Sequence, residues 1–185
     1  SLQILKKNRG EKFIEVDESQ TLNWAPLRQK VKIQEDKIQR NFSIGSEWLY
    51  FKLYCGVKVA DKILLENIKP LIEELFKKQL IDSCFFIRYS DPDNHLRVRF
   101  HLPDTSKIGE VVLLFYQFIG PAESAKYIWK IQTETYVREL ERYGVENITL
   151  SEKLFFFDSQ SILFFLESTE GDEREHIRRS EERRV

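Results

Sequence analysis

Residues 85–102 read FFIRYSDPDNHLRVRFHL. Strand side chains point alternately to opposite faces, so His95, Arg97, Arg99 and His101 share one side while Leu96, Val98, Phe100 and Leu102 share the other. One side is a core face and the other a column of basic groups. Residues 84–90 supply a partner strand. The intervening Ser90-Asp91-Pro92-Asp93-Asn94 supplies a turn, because proline presets φ and Asp and Asn side chains bond to the local backbone. If that turn keeps the two strands in step, Arg88 joins Arg97 and Arg99; a bulge would break the register. One arginine on such a face is an ordinary solvated side chain. Several converging repel one another, and a bound anion relieves that repulsion, the planar guanidinium fork matching a carboxylate or phosphate.

The flanking sequence builds a sheet around this hairpin. EWLYFKLYC at 47–55 sets Leu49, Phe51 and Leu53 against Trp48, Tyr50, Lys52 and Tyr54, which predicts a strand with one apolar face and one aromatic, basic face. Val59, Ile63, Leu64, Leu71, Ile72, Leu75 and Phe76 then recur at helical spacing, with Pro70 breaking or restarting the helix near Ile68. Residues 105–119 carry Ile108, Val111, Val112, Phe115 and Ile119 on one stripe, and Gly120-Pro121 predicts its stop. YIWKIQTETYVRE at 127–139 alternates and predicts a fourth strand. The order β-α-β-β-α-β predicts an α+β fold: a ferredoxin-like antiparallel sheet with both helices on one face and the other face free for ligands. After Gly144, Thr149-x-x-Glu152 reads as a capping box, and residues 154–166 are apolar all round, predicting a following helix buried on several sides.

Composition bounds the rest. The 185 residues, 42% hydrophobic and 13% aromatic, suffice for one good core. A net charge of −1 gives no global attraction to nucleic acid or acidic membrane, so any electrostatic function is local. No apolar run reaches the length of a membrane span. Cys55 and Cys84 lack metal-ligand spacing and read as reduced, buried small residues. His95 and His101 stand about 20 Å apart by strand rise, too far to chelate one ion. Neither a phosphate loop nor a nucleophile elbow is present. Residues 1–41 read as an extended arm or the end of a preceding domain, and the charged tail 170–185 ends without a stop signal. With no methionine anywhere and no signal-peptide pattern, Ser1 reads as an internal cut in a longer protein. The remaining candidates are Arg88, Arg97, Arg99, Lys52 and the cluster from Arg138 to Arg142 with Glu139 and Glu141, whose plainest reading is surface ion pairs.

Four blocks, GSEWLYFKLYCG, FFIRYSDPDNHLRVRF, TYVRELERYG and SEKLFFFDS, resemble the carboxy-terminal domain of lantibiotic dehydratases, which also occurs alone in thiopeptide biosynthesis. The resemblance runs over residues 42–166. It implies a domain that eliminates glutamate from glutamylated Ser or Thr of a precursor peptide, leaving dehydroalanine or dehydrobutyrine. Carried over by position, it puts the catalytic residues at Arg97, Arg99, Glu139 and Arg142. Arg88, His95 and Lys52 fall beside them as substrate-binding candidates. It implies no metal and no cofactor, with glutamyl-tRNA as co-substrate of a glutamylation domain in the same or a partner chain. A cyclase and a second copy of the chain are further partners it allows, and the bacterial cytoplasm is the compartment it implies. The family's further histidine lies well downstream of ERYG, and His176 is too near to be it.

The chemistry fits the charge. In β-elimination a base removes the α-proton and the β-oxygen departs with the glutamyl group, so negative charge grows on the enolate oxygen and the leaving carboxylate. Preorganised arginines stabilise both. Arg97 and Arg99 are assigned to the leaving glutamate, Glu139 to its free amine, and Arg142 to holding Glu139 or meeting the second carboxylate. Three other readings stand beside this one: a thiopeptide pyridine synthase, an RNA-binding sheet using Tyr50 and Tyr54, and a peptide-binding module without catalysis.

Overall fold

The computed structural model describes residues 38–169, so the readings of residues 1–37 and of the tail at 170–185 lie outside the described residues. In chain order the elements are β1 (Asn41–Phe42), β2 (Trp48–Cys55), α1 (Val57–Ile63), a π-helical turn (Leu64–Ile68) and α2 (Lys69–Lys77). They continue with β3 (Ser83–Tyr89), β4 (His95–His101), a 3₁₀ turn (Thr105–Lys107), α3 (Ile108–Ser124), β5 (Ile128–Glu134) and β6 (Tyr136–Val137). Helices α4 (Leu140–Tyr143) and α5 (Ile148–Ser168) complete them. The fold is α+β: β3-β4-β2-β5 form one sheet, antiparallel throughout, and β1 pairs antiparallel with β6 in a second.

Period two in β2 and β4 sorts the side chains as their alternation predicts. Leu49, Phe51, Leu53, Leu96, Val98 and Phe100 form the main core with Ile63, Leu64, Ile68, Leu71 and Leu75 of the first helical run and Val111, Phe115 and Ile119 of α3. Phe115 lies flat on Phe51, ring centroids 3.8 Å apart. Burying a side chain of this size contributes roughly 1.5–3 kcal/mol, so this face holds the sheet and helices together. Pro70 enters at the first turn of α2, where its missing N–H costs nothing, and the π-helical turn before it absorbs the irregularity.

Several local expectations are corrected. Helix α3 runs through Gly120-Pro121 to Ser124, because Ile119 and Ala122 are buried and hold the last turn to the core. It ends instead at Lys126 (φ 61°), where Tyr127 N–H donates to the Ala122 carbonyl (2.9 Å) and Lys126 N–H to that of Glu123 (3.0 Å). The fourth strand stops at Glu134: Tyr136 and Val137 leave the large sheet to pair with Phe42 and Asn41. The capping box does not form, for α5 starts at Ile148 and Glu152 is committed to Arg138.

The second face of the sheet is also not free along its whole length. Phe42, Trp48, Tyr50, Phe85 and Tyr136 make a separate aromatic cluster there, with Phe155 of α5 against it. Helix α5 lies along the edge strand β3, whose Phe86 N–H donates to Ser159 Oγ (3.1 Å), and sends Leu163 and Leu166 into the main core. It is therefore buried on two sides only. Leu150, Leu154, Phe157 and Phe164 keep 58–72% of their surface exposed. None of the described helices is long and apolar enough to cross a membrane.

Both cysteines are free and buried, and burial pushes the Cys55 thiol up to about 11 and that of Cys84 up to about 12. Thiolate is the reactive form. A thiol-reactive dye near neutral pH is accordingly expected to label neither cysteine in the folded protein and both after unfolding; rapid labelling of the folded chain would contradict their burial.

Candidate functional site

The register of three strands lays the polar face out as a grid. Tyr50 of β2 lies opposite Arg99, Lys52 opposite Arg97 and Tyr54 opposite His95. Across β4, Phe85 faces Arg99, Ile87 faces Arg97 and Tyr89 faces His95. On the far side of β2, Glu134 is level with Tyr50, Gln132 with Lys52 and Lys130 with Tyr54. Each arginine thus has a defined set of neighbours fixed by backbone pairing.

Arg99 is the deepest charge. It keeps 7% of its surface, and its guanidinium sits 4.2 Å from the Tyr50 ring and 5.0 Å from those of Phe85 and Tyr136. Burial lowers its pKa, opposed by Tyr50, Tyr136 and the carboxylate of Glu139 and reinforced by Arg97. Its Nε and Nη1 are enclosed and make no hydrogen bond. A desolvated ion loses several kcal/mol of hydration, and three ring faces at about 1–2 kcal/mol each return part of that. Nη2 is not among these enclosed, unpaired atoms, and an anion meeting the guanidinium there competes with less water than at an exposed arginine.

Arg97 is held differently. Its guanidinium lies over the Tyr89 ring at 3.5 Å and its Nε donates to His95 Nε2 (3.1 Å). His95, 3% exposed, donates from Nδ1 to the Asp93 carbonyl (2.7 Å), so both its ring nitrogens are engaged. Lys52 is paired with Glu134 at 2.8 Å, and Lys52 holds the Glu134 carboxyl below its usual range. His101 bonds Asp82 at the far end of the column and packs on Trp48 at 4.9 Å.

Arg88 does not join the group. Five residues, 90–94, link the strands so that Tyr89 pairs with His95 and Arg88 with Leu96. Directly opposed residues share a face, so Arg88 falls on the helix-covered side, where it pairs with Asp61 of α1. The turn keeps an even register sum, and an odd one was needed to bring Arg88 level with Arg97 or Arg99.

The RELERYG block meets the grid through β6. Glu139 precedes α4, and Arg142 one turn later approaches it at 3.5 Å, both side chains mostly exposed. Gly144 (φ 78°) ends that short helix in a conformation a side chain would strain, and its carbonyl accepts from Ile148 N–H to start α5. Beneath lies an ion pair that the charge count alone did not single out: Arg138 Nε and Nη2 grip Glu152 at 2.7 Å each, and Tyr136 O–H donates to the same carboxylate at 2.8 Å. Burial, then the Glu152 charge, raises the Tyr136 pKa. Arg138 sits in a charged stretch and Glu152 in what reads as a capping box, so neither position announces a buried charge.

Among the described residues no group of three His, Cys, Asp or Glu could hold a metal ion. The arrangement is instead a desolvated arginine beside a clamped one, with Glu139 near enough to Arg99 to oppose the lowering of its pKa.

Comparison with known proteins agrees with the blocks quoted above. The chain is 29% identical over 131 residues to the nisin biosynthesis protein NisB of Lactococcus lactis subsp. lactis, a match covering 69% of this chain and 13% of that protein. It is 28% identical over 131 residues to the subtilin biosynthesis protein SpaB of Bacillus subtilis, covering 69% and 12%. The crystal structure of the tRNA-dependent lantibiotic dehydratase MibB from Microbispora sp. 107891 superposes with a TM-score of 0.60 at 27% identity, over 68% of this chain and 12% of that one. The chain thus spans about an eighth of these relatives. The model of the lantibiotic biosynthesis dehydratase C-terminal family matches residues 48–182, and the chain belongs to that family.

Proposed function

We propose that this chain carries the arginine side of a glutamate-eliminating site that acts on a glutamylated precursor peptide. The observation that carries the reading is Arg99, a guanidinium enclosed by aromatic rings with two nitrogens lacking a hydrogen-bond partner. Such a group suits a carboxylate-bearing leaving group and gives little to a neutral one. Family membership and the named relatives, which include a tRNA-dependent lantibiotic dehydratase, support the same reading.

In the reaction a base takes the α-proton of the esterified Ser or Thr. The C–H electron pair becomes the Cα=Cβ double bond, the Cβ–O bond breaks, and its electrons leave with glutamate as a carboxylate. Arg99 receives the charge that grows on the departing oxygens, in a site dry enough for the interaction to be strong. Arg97 presents a second fork to the side-chain carboxylate of the glutamyl group. Glu139 attracts the free glutamyl amine, and Arg142 keeps the Glu139 carboxylate at the rim. Lys52, neutralised by Glu134, keeps that carboxylate off the arginines.

The test is mass spectrometry of a synthetic glutamyl-ester peptide incubated with this chain as part of a complete lantibiotic dehydratase, since this chain is assigned the arginines and not the base. Loss of glutamate with formation of a dehydro residue is the expected result, and an unchanged ester sinks the reading. Arg88→Ala is expected to eliminate as fast as the parent, because Arg88 lies on the opposite face with Asp61; a tenfold or greater loss would return it to the site.

A further inference from the structure

His95 lies in the strand that carries both arginines, yet it has no free nitrogen for a substrate. Its Nδ1 stands 2.7 Å from the Asp93 carbonyl, which can only accept, so Nδ1 carries the proton. Its Nε2 stands 3.1 Å from Arg97 Nε, which can only donate, so Nε2 is a lone pair. The partners together fix one neutral tautomer. The ring is also fixed in plane, between Tyr54 with centroids 4.9 Å apart and Tyr89 at 5.5 Å.

We infer that His95 is a positioning residue for Arg97: its neutral Nε2 acceptor and the Tyr89 ring together set the plane of the Arg97 guanidinium without neutralising its charge. The neighbourhood explains why an uncharged acceptor is needed. Glu134 is close enough for Arg97 to depress its carboxyl pKa, although Lys52 holds it first. Released from His95, the long Arg97 side chain would turn toward that carboxylate and pair with it. A carboxylate at position 95 would have the same quenching effect. An imidazole orients the fork through Nε and leaves the two terminal nitrogens to meet another group. Among the described residues, no carboxylate makes an ion pair with Arg97.

The rate part of the test rests on the elimination reading, and the spectroscopic part does not. Gln places an amide oxygen near the position of Nε2 and can still accept from Arg97. Asn reaches only as far as Nδ1 and cannot. In the 185-residue chain, nitrogen-15 NMR of the side chains is expected to show His95 as the Nδ1–H tautomer. It is also expected to show a slowly exchanging Arg97 Nε–H that survives in His95→Gln and disappears in His95→Asn. The Nε2–H tautomer, or an Arg97 signal indifferent to both substitutions, overturns the inference whatever the activity.

With the glutamyl-ester peptide, His95→Asn is expected to lower kcat by about 10²-fold, the scale of a misplaced reacting group, with KM little changed. His95→Gln is expected to stay within about tenfold of the parent. In the Arg97→Lys background His95→Asn is expected to add nothing, because the partner it positions is gone. Full multiplication of the two effects, or equal losses from Asn and Gln, marks His95 as structural only. A parent protein that releases no glutamate would overturn the proposed function, and the NMR result would still decide the role of His95.

Discussion

Replacing Arg99 with alanine is expected to slow glutamate release by about 10²- to 10³-fold, the usual cost of removing one charge-stabilising donor from a preorganised site. The same protein should still bind the peptide, and where glutamylation is supplied the glutamylated ester should accumulate. The size of the effect follows from burial. An exposed arginine shares its work with water, whereas Arg99 is 7% exposed and faces Tyr50, Phe85 and Tyr136. Arg99→Lys should recover little, since an ammonium is more strongly hydrated and presents no planar fork to those rings. Arg97→Ala should behave alike, and Arg142→Ala less severely, because its contact with Glu139 is long and solvent-exposed. Peptide mass spectrometry distinguishes the outcomes directly. Accumulated ester supports the assignment. Unmodified peptide from a correctly folded variant would assign the arginine to an earlier step, and fully dehydrated peptide would make it a solvated strand residue.

That Arg97 and Arg99 face away from the core was legible because alternation is a property of the strand backbone, and Leu96, Val98 and Phe100 made the register costly to shift. Which of the two is buried was not legible. Arg99 is enclosed because Tyr136 leaves the large sheet and packs over it, and that departure depends on pairing with Phe42, far away in the chain. Nothing in the composition of residues 127–139 marks the break at Thr135. The fate of Arg88 hinged on the parity of a turn whose residues permit several conformations. Glu152 departs from its local pattern for a related reason. A capping box is a local pattern, and a buried guanidinium across α4 outcompeted the helix's own N-terminus for the same carboxylate.

That competition predicts the largest stability effect in the chain. Arg138 and Glu152 keep 10% and 7% of their side-chain surface, and beyond the doubly bonded pair Arg138 donates to the Gln39 carbonyl at 3.0 Å. Removing one member strands the other's charge away from water. Arg138→Ala or Glu152→Ala is therefore expected to cost about 3–5 kcal/mol. In a chain of this size each kcal/mol lowers Tm by about 2–4 °C, so melting should fall by roughly 10 °C. Arg138→Met combined with Glu152→Leu leaves no orphan charge and should regain part of the loss, staying short by about 1–3 kcal/mol because Tyr136 O–H loses its acceptor and the Gln39 carbonyl its donor. A fall of under about 2 °C in both single variants would show that the pair is solvated in solution. The same substitutions reach the site, because Tyr136, bonded to Glu152, is one of the rings around Arg99 and Glu139 directly follows Arg138. Elimination by the double variant, assayed well below its melting temperature, should stay depressed although the fold has been restored, since the aromatic wall of Arg99 has lost the hydrogen bond that fixes one of its rings.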